Sequence, residues 1–322
     1  MSSKRPREDP YLLPELDRPL WYISPGDIVR RSSRPYDSWR FGDVFTGIVG
    51  NVQVSIQQLE TTPSDRELVE LLNNIDAWHK LSHPNVLELL GACGQDIDGT
   101  PIRPFFVSPL LPMGNLRNYV SENSLQIQHK LALLYQVASG MAYLHGRNVI
   151  HGDLRALNIL MRRPYSIVIS DFDIAGTSHS SSSLKRNKAS PFYRGTPGYM
   201  APEMQDDESP CGLSGPTKST DVFAFAITVC EVLKNADPVW VTSTNEPLRE
   251  IVVTLQIIRG RRPRRFGGVP ADIWSVIERC WQQEPAQRPS FPDILMLLDD
   301  YRDPADDALL VTAIDALEFE LS

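Results

Sequence analysis

The sequence lacks the features that define several broad classes of protein. No apolar run is long enough to span a bilayer, and no signal-peptide core follows Met1, so we expect neither membrane insertion nor secretion. The four cysteines show no paired or metal-ligand spacing, which favours free thiols in a reducing compartment such as the cytoplasm. The net charge of −8 and the absence of a strongly basic region argue against nucleic-acid binding.

Lysine is absent from the whole stretch between Lys4 and Lys80. An amine is a common point charge for binding nucleotide phosphates. The first part of the chain therefore has arginines but no lysine for such a role.

Acidic residues are concentrated at the carboxyl end of the chain. Residues 299–322 carry eight acidic groups and one basic group, Arg302. Within them, four apolar residues are spaced to share one helical face: Leu310, Ile314, Leu317 and Leu321. We expect this face to dock on the chain itself, with a partner protein as the alternative. At the other end, the basic cluster at 4–7 is either a weak nuclear signal or, more simply, a solvated terminus.

The stretch richest in candidate catalytic and metal-binding residues is His151–Asn158, followed by Asp171-Phe172-Asp173. Asp153 lies five residues before Asn158, and Asp171 follows a short β-branched run, Ile167–Ile169. An aspartate can accept a hydroxyl proton, and carboxylate and amide oxygens suit Mg²⁺. The pattern predicts a phosphoryl-transfer site in which Asp153 accepts the proton and Asn158 and Asp171 bind the metal.

These two motifs resemble the catalytic loop and the D-F-G of eukaryotic protein kinases. Three more motifs follow in the family's order. Gly195–Glu203 resembles G-T-x-x-Y-x-A-P-E, and Asp221–Ala226 resembles the start of the large lobe's central helix. Cys280–Pro289 is similar to the C-W-x-x-x-P-x-x-R-P of the tyrosine-kinase-like branch, which has many members in fungi.

The resemblance implies an α+β, bilobal protein kinase fold with a small β-rich lobe containing one helix and a large helical lobe. The expected organisation is a flexible tail at 1–24, a small lobe at 25–108, the hinge and large lobe at 109–298, and an acidic tail at 299–322. The family also implies that Asp221 holds the catalytic loop and that Arg288 pairs with Glu203.

Helical periodicity supports this assignment in the large lobe. Five residues recur at helical spacing before a helix stop at Gly146: Leu131, Leu134, Ala138, Met141 and Ala142. The segment Asp221–Leu233 is almost wholly apolar, which predicts a helix buried on all sides.

The phosphate-binding part of the small lobe departs from the family. Only Gly42 remains of the three glycines that let backbone amides approach phosphate, because Asp37 and Trp39 occupy the other two positions. On the next strand, Ser55 occupies the position of the family's alanine that packs on adenine. Gln57 occupies the position of the family's phosphate-binding lysine.

The usual partner of that lysine is a glutamate on the small-lobe helix, and here the position is Asn74. Glu70 lies about one helical turn earlier, so a shift in the alignment would place a glutamate at this position. Val52, Val54 and Ile56 alternate with polar residues, so we expect the two sets on opposite strand faces. We also expect a neutral hydrogen bond between Gln57 and Asn74.

The adenine-binding part matches the family more closely. Ser108 stands at the gatekeeper position, and the resemblance assigns the base contacts to the Pro109 carbonyl and the Leu111 amide. It also implies that three side chains sandwich the ring: Val44, Ser55 and Leu160.

Three departures affect the catalytic loop and the segment after it. Arg155 replaces a lysine and keeps a cation near the transferring phosphoryl group. Asp173 replaces the D-F-G glycine, which adds a carboxylate beside the metal ligands. Gly152 replaces the arginine that normally binds a phosphorylated activation segment, so the usual phosphorylation switch is not expected.

Two hypotheses remain. The first is a pseudokinase that acts as a protein-interaction module, binds ATP and Mg²⁺ weakly and has little or no catalysis. The second is an active Ser/Thr protein kinase in which Arg40 substitutes for the missing lysine. The G-T-x-x-Y form at 195–199 favours Ser/Thr over Tyr as the acceptor.

Overall fold

The computed structural model describes residues 19–30, 32–39, 42–60, 65–93, 104–172, 196–205 and 215–302. These residues divide into two units. The first unit contains the described residues up to Ser82 together with Leu87–Leu110. The second contains His83–Val86 and the described residues from Leu111 onward. Arg40, Asp173 and most of the two predicted tails lie outside the described residues.

An antiparallel sheet and one helix make up the first unit. The helix α1 spans Asp65–His79. The strands are β1 (Ile28–Arg30), β2 (Asp37–Trp39), β3 (Gly42–Val49), β4 (Val52–Leu59), β5 (Gly91–Cys93) and β6 (Phe105–Pro109). Their order across the sheet is β1-β3-β4-β6-β5, and β2 also pairs with β3.

One face of this sheet carries the hydrophobic core of the unit. The core is formed by aromatic and aliphatic residues that fit a pleated surface: Ile28, Phe45, Val54, Ile56, Cys93, Phe105 and Val107. The predicted alternation along β4 holds only in its middle. Val52 and Gln53 are both exposed, because β6 begins to pair with β4 only at Val54.

The second unit is mainly helical. Its elements are α2 (Leu116–Glu122), α3 (Ile127–Gly146), β7 (Ile159–Arg163), β8 (Ser166–Ile169), α4 (Pro202–Gln205), α5 (Lys218–Leu233), α6 (Glu250–Ile258), α7 (Ala271–Cys280) and α8 (Phe291–Leu297). Strands β7 and β8 form a separate antiparallel hairpin. Together the two units have the predicted α+β organisation.

Two sequence predictions for the second unit are confirmed. Helix α5 is buried on all sides from Thr220 to Leu233. Helix α3 buries four of the five predicted residues, leaves Ala142 half-buried and ends at Gly146, although the left-handed residue beyond it is Asn148, with φ of 59°. Asparagine tolerates this conformation better than most residues, so the turn does not depend on the glycine.

None of the described helices combines the length and the hydropathy that crossing a membrane requires. The three cysteines in the described ranges are buried: Cys93, Cys230 and Cys280. Burial raises the pKa of the Cys230 and Cys280 thiols to about 12, so these two side chains remain protonated and unreactive at neutral pH.

Candidate active site

Helix α5 holds the catalytic loop through Asp221. The backbone amides of His151 and Gly152 donate to the two Asp221 carboxylate oxygens at 2.8 and 2.9 Å. The His145 Nε2 lies 2.8 Å from the same carboxylate. Because α5 is fully buried, this anchor has little freedom to move, and the prediction that Asp221 supports the loop is confirmed.

A second carboxylate of α5, that of Glu231, bonds to the middle of the catalytic loop. Glu231 is buried and accepts the Ala156 amide at 3.2 Å, and its other oxygen lies 3.6 Å from Arg117 Nη1. Burial of Tyr199, together with the charge of Glu231 and a hydrogen bond to it, raises the pKa of the Tyr199 hydroxyl. This role of Glu231 was not predicted from the sequence, although an acidic residue inside an apolar helix indicates such a role.

Both oxygens of the Asp153 carboxylate have partners. Asn158 Nδ2 donates to Asp153 O at 2.8 Å and to Oδ2 at 3.2 Å. The backbone amide and the hydroxyl of Thr196 each lie 3.2 Å from Oδ1. Arg155 Nε is 3.6 Å from Oδ2, an ion-pair distance too long for a hydrogen bond. Asp153, Arg155 and Asn158 are therefore brought together in one network.

Asn158 and Asp171 are linked through the residue between the hairpin and the D-F-D motif. The Ser170 hydroxyl lies 3.1 Å from Asn158 O and 3.2 Å from Asp171 Oδ2. Asp171 adopts a left-handed backbone with φ of 55°, a conformation that is uncommon outside glycine and clusters at functional sites.

The donor set at these two residues fits Mg²⁺. Since the Asn158 nitrogen is used on Asp153, its Oδ1 remains as an oxygen ligand beside the Asp171 carboxylate. Within the described ranges there is no cluster of three His, Cys, Asp or Glu residues suited to a metal. Mg²⁺ in phosphoryl-transfer sites typically uses one or two carboxylates plus substrate phosphates, so two protein ligands suffice.

A buried ion pair anchors the segment that follows Thr196. Arg288 donates to the two Glu203 oxygens at 2.7 and 2.8 Å. The same guanidinium donates to three backbone carbonyls, those of Ser219, Gln282 and Gln283. This bidentate geometry confirms the predicted Glu203–Arg288 pair and gives the buried charges their hydrogen bonds.

In the first unit, the predicted nucleotide residues share one face of the sheet. Gln57 pairs with Val44 on β3, and Ser55 pairs with Ser108 on β6. Directly opposite residues point to the same side, as do residues two apart on one strand. Val44, Ser55, Gln57 and Ser108 therefore lie on the face opposite the hydrophobic core.

The Gln57 side chain is buried, with 8 % of its surface exposed. Glutamine is uncharged and one atom shorter than lysine, so the strand loses both charge and reach at this position. No hydrogen bond joins Gln57 to Asn74 in the described part of the chain, so the prediction of that bond was wrong. The neighbouring Gln58, on the core face, leaves its buried Nε2 without a partner there.

The structure describes two cationic side chains in the first unit, and both are exposed. They are Arg34, which is exposed before β2, and Lys80, which is exposed and pairs with Asp76 on the last turn of α1. Arg40, the predicted substitute, lies outside the described residues.

Gly42 has a structural explanation that does not involve a ligand. It pairs with Leu59 at the start of β3, and a Cβ at this position would lie 1.9 Å from Gln58 O and 2.9 Å from the Glu60 amide. Only glycine permits this approach of the two strands. The surviving glycine is therefore required by the sheet, whether or not phosphate binds.

The remaining predicted adenine residues are divided between the units. Pro109 ends β6, while Leu111 and Leu160 belong to the second unit and are half-buried. Leu160 lies on β7 opposite Val168. The assignment of these residues to nucleotide binding stays a prediction.

Residues 36–298 match the family model described as protein tyrosine and serine/threonine kinase. The chain therefore belongs to this family, and its two units are the β-sheet N-lobe and the helical C-lobe of the protein kinase fold.

Named relatives include kinases from amoebae and plants. The chain is 30% identical over 264 residues to "Probable serine/threonine-protein kinase drkD" of Dictyostelium discoideum, covering 80% of this chain and 19% of the relative. It is 28% identical over 262 residues to serine/threonine-protein kinase STY17 of Arabidopsis thaliana, covering 80% of this chain and 42% of the relative. The chain thus spans less than half the length of either relative.

Proposed function

We propose that this protein is a pseudokinase: a kinase-shaped module that binds protein partners, binds Mg·ATP weakly and transfers phosphate slowly or not at all. The observation that carries the proposal is the buried, uncharged Gln57 at the family's lysine position. The loop before it adds to the effect, because Asp37 and Trp39 replace two glycines beside a negatively charged ligand.

The size of the effect follows from general magnitudes. Removing one preorganised donor to developing charge costs about 10²–10³ in rate. Kinases typically turn over at about 1–100 per second, so loss of the lysine leaves roughly 0.001–1 per second. Efficient signalling catalysis is not expected at such rates.

A second candidate function is a Ser/Thr protein kinase with Arg40 as the substitute cation. The network around Asp153 favours it, because Asn158, Thr196 and Arg155 hold that carboxylate in place. Both named relatives are described as serine/threonine-protein kinases.

Each residue has a defined task if transfer takes place. Asp153 accepts the proton of a substrate hydroxyl, and Arg155 stabilises negative charge beside it. Asn158 Oδ1 and the Asp171 carboxylate hold Mg²⁺, which neutralises phosphate charge when bound.

Radiolabel transfer from ATP to a generic protein substrate distinguishes the two functions. The full-length chain is compared with Asp153→Asn, which keeps the side-chain shape and removes the proton acceptor. The pseudokinase proposal expects the same background from both, or a difference no larger than the rate of roughly 0.001–1 per second that remains without the lysine. Transfer at the usual kinase rate of about 1–100 per second that the substitution abolishes establishes the kinase instead, and Arg40→Ala then tests the substitute cation.

A further inference from the structure

Helix α6 exposes an apolar line that ends in positive charge. Ile251 and Leu255 are 64 % and 43 % exposed, and with Arg259 they are spaced four residues apart on one side of the helix. Val253 and Ile257, on another side, are buried in the second unit. Two large exposed side chains on one line of a nine-residue helix leave that face without a partner in the described residues.

Further exposed arginines follow α6 along the chain. Arg259, Arg261, Arg264 and Arg265 are exposed, and none of the four forms a salt bridge in the described ranges. Arg262, between them, is fixed by donating to Trp281 O at 2.8 Å and to Gln283 Oε1 at 2.7 Å. We call the six exposed residues the α6 surface: Ile251, Leu255, Arg259, Arg261, Arg264 and Arg265.

The last described residues and the α6 surface both contact helix α7. The Tyr301 hydroxyl donates to Asp272 Oδ2 at 2.8 Å in the first turn of α7. The Arg265 guanidinium lies 5.7 Å from the ring centre of Trp274, two residues further along the same helix. Helix α7 therefore contacts Arg265 of the α6 surface at Trp274 and the end of the described residues at Asp272, on different sides of the helix.

We propose that residues 303–322 of the same chain dock on the α6 surface. They contain six acidic residues and no basic residue, which complements the four arginines. Their apolar residues are spaced for one helical face, which complements Ile251 and Leu255. Twenty residues reach about 66 Å when extended, which is several times the length of about 15 Å of the ten-residue helix α7 that contacts both features.

Docking by a segment of the chain has an advantage over a separate partner. The link through Tyr301 keeps the segment near its target at an effective concentration that can reach the millimolar range. Weak individual contacts therefore suffice to keep the α6 surface covered, and any external partner of this surface must displace residues 303–322.

Hydrogen exchange on the full chain tests the proposal. The variants are a set with reversed arginines (Arg259→Glu, Arg261→Glu, Arg264→Glu), a set with reversed acids (Asp315→Lys, Glu318→Lys, Glu320→Lys), and the two combined. The matched control is Arg163→Glu, an exposed arginine on β7. Exchange in the buried helix α3 reports whether each variant is folded.

We expect about tenfold faster exchange at α6 and at residues 303–322 in either reversed set, and recovery when the two sets are combined. Exchange that is the same in the wild-type and reversed chains overturns the proposal. Protection that rises with protein concentration also overturns it, because docking is then between copies of the chain.

Discussion

The loop around Asp153 and strand β4 retain the kinase pattern to different degrees. In the loop, Asp153 has four protein groups near its carboxylate, and Asp221 and Glu231 hold the backbone on either side. In β4, the residue that should carry a positive charge is a buried amide. Part of the site that positions the proton acceptor is therefore present, whereas charge for the phosphates is missing.

This difference teaches that an ordered catalytic loop is weak support for catalysis. Asp153 and Asn158 bond to each other and to Thr196, so they contribute to the loop's own structure. A buried glutamine stands at the family's lysine position in β4, and β4 still pairs with β3 and β6. The sheet therefore does not depend on a lysine at this position. Residues that also hold the fold persist, and a residue with only a ligand to bind is replaceable.

The largest effect is expected from Arg288→Met, which tests how far the second unit depends on its buried polar groups. The substitution leaves the Glu203 carboxylate buried and unpaired, so we expect the free energy of unfolding to fall by about 3–5 kcal/mol. Urea unfolding measures this, with the exposed Arg163→Met as control. A loss no larger than that of the control would contradict the structural role.

Restoring the lysine and its partner sharpens the comparison directly. In the Gln57→Lys, Asn74→Glu double variant, a cation and its counter-ion return, and we expect transfer to rise by about 10²–10³ over the wild-type background. Radiolabel transfer measures the change. The control is Gln53→Lys, which puts the same charge on an exposed position of the same strand. A rise of equal size in the control would show that charge at Gln57 is not the deficit.

Gly42→Ala tests whether the surviving glycine serves the sheet. Its methyl group would overlap Gln58 O, so we expect a loss of about 1–3 kcal/mol in stability. Gly26→Ala is the matched control, since a Cβ there has its nearest neighbour at 3.9 Å. If urea unfolding shows equal stability for the two variants, the sheet does not require Gly42, and phosphate binding would be its remaining explanation.

The smallest effect concerns acid stability at His83 in the second unit. Burial, with Arg147 and Arg162 nearby, lowers the pKa of His83 from 6.5 to about 4. The neutral ring accepts the Asn85 amide at 3.1 Å, a bond that protonation removes. Because the folded pKa is the lower one, this stability is present above pH 6.5 and is lost as pH falls toward 4.

Replacing His83 with glutamine removes this titration. We expect the free energy of unfolding of His83→Gln to fall less steeply between pH 6.5 and 4 than that of the wild type. The control is His129→Gln at an exposed histidine. Parallel pH profiles for the wild type and His83→Gln would exclude the contribution.

In the second unit, apolar patterning predicted the buried helices and the family resemblance predicted the ion pair. The complete burial of α5 and the Arg288–Glu203 pair are examples. Glu231 escaped because its partners, Arg117, Ala156 and Tyr199, are distant in sequence. The first unit was harder. Burial along β4 depends on where β6 starts to pair, which no periodicity encodes.

Thermal unfolding of the full chain in the presence of Mg·ATP or adenosine tests the central claim most directly. At a given concentration, a ligand that binds the folded state more tightly raises apparent stability more, by RT ln(1 + [L]/Kd). If no cation meets the phosphates, Mg·ATP should raise the melting temperature no more than adenosine does at equal concentration. A larger, Mg²⁺-dependent rise with ATP would contradict the account, because the phosphates would then have found a positive partner.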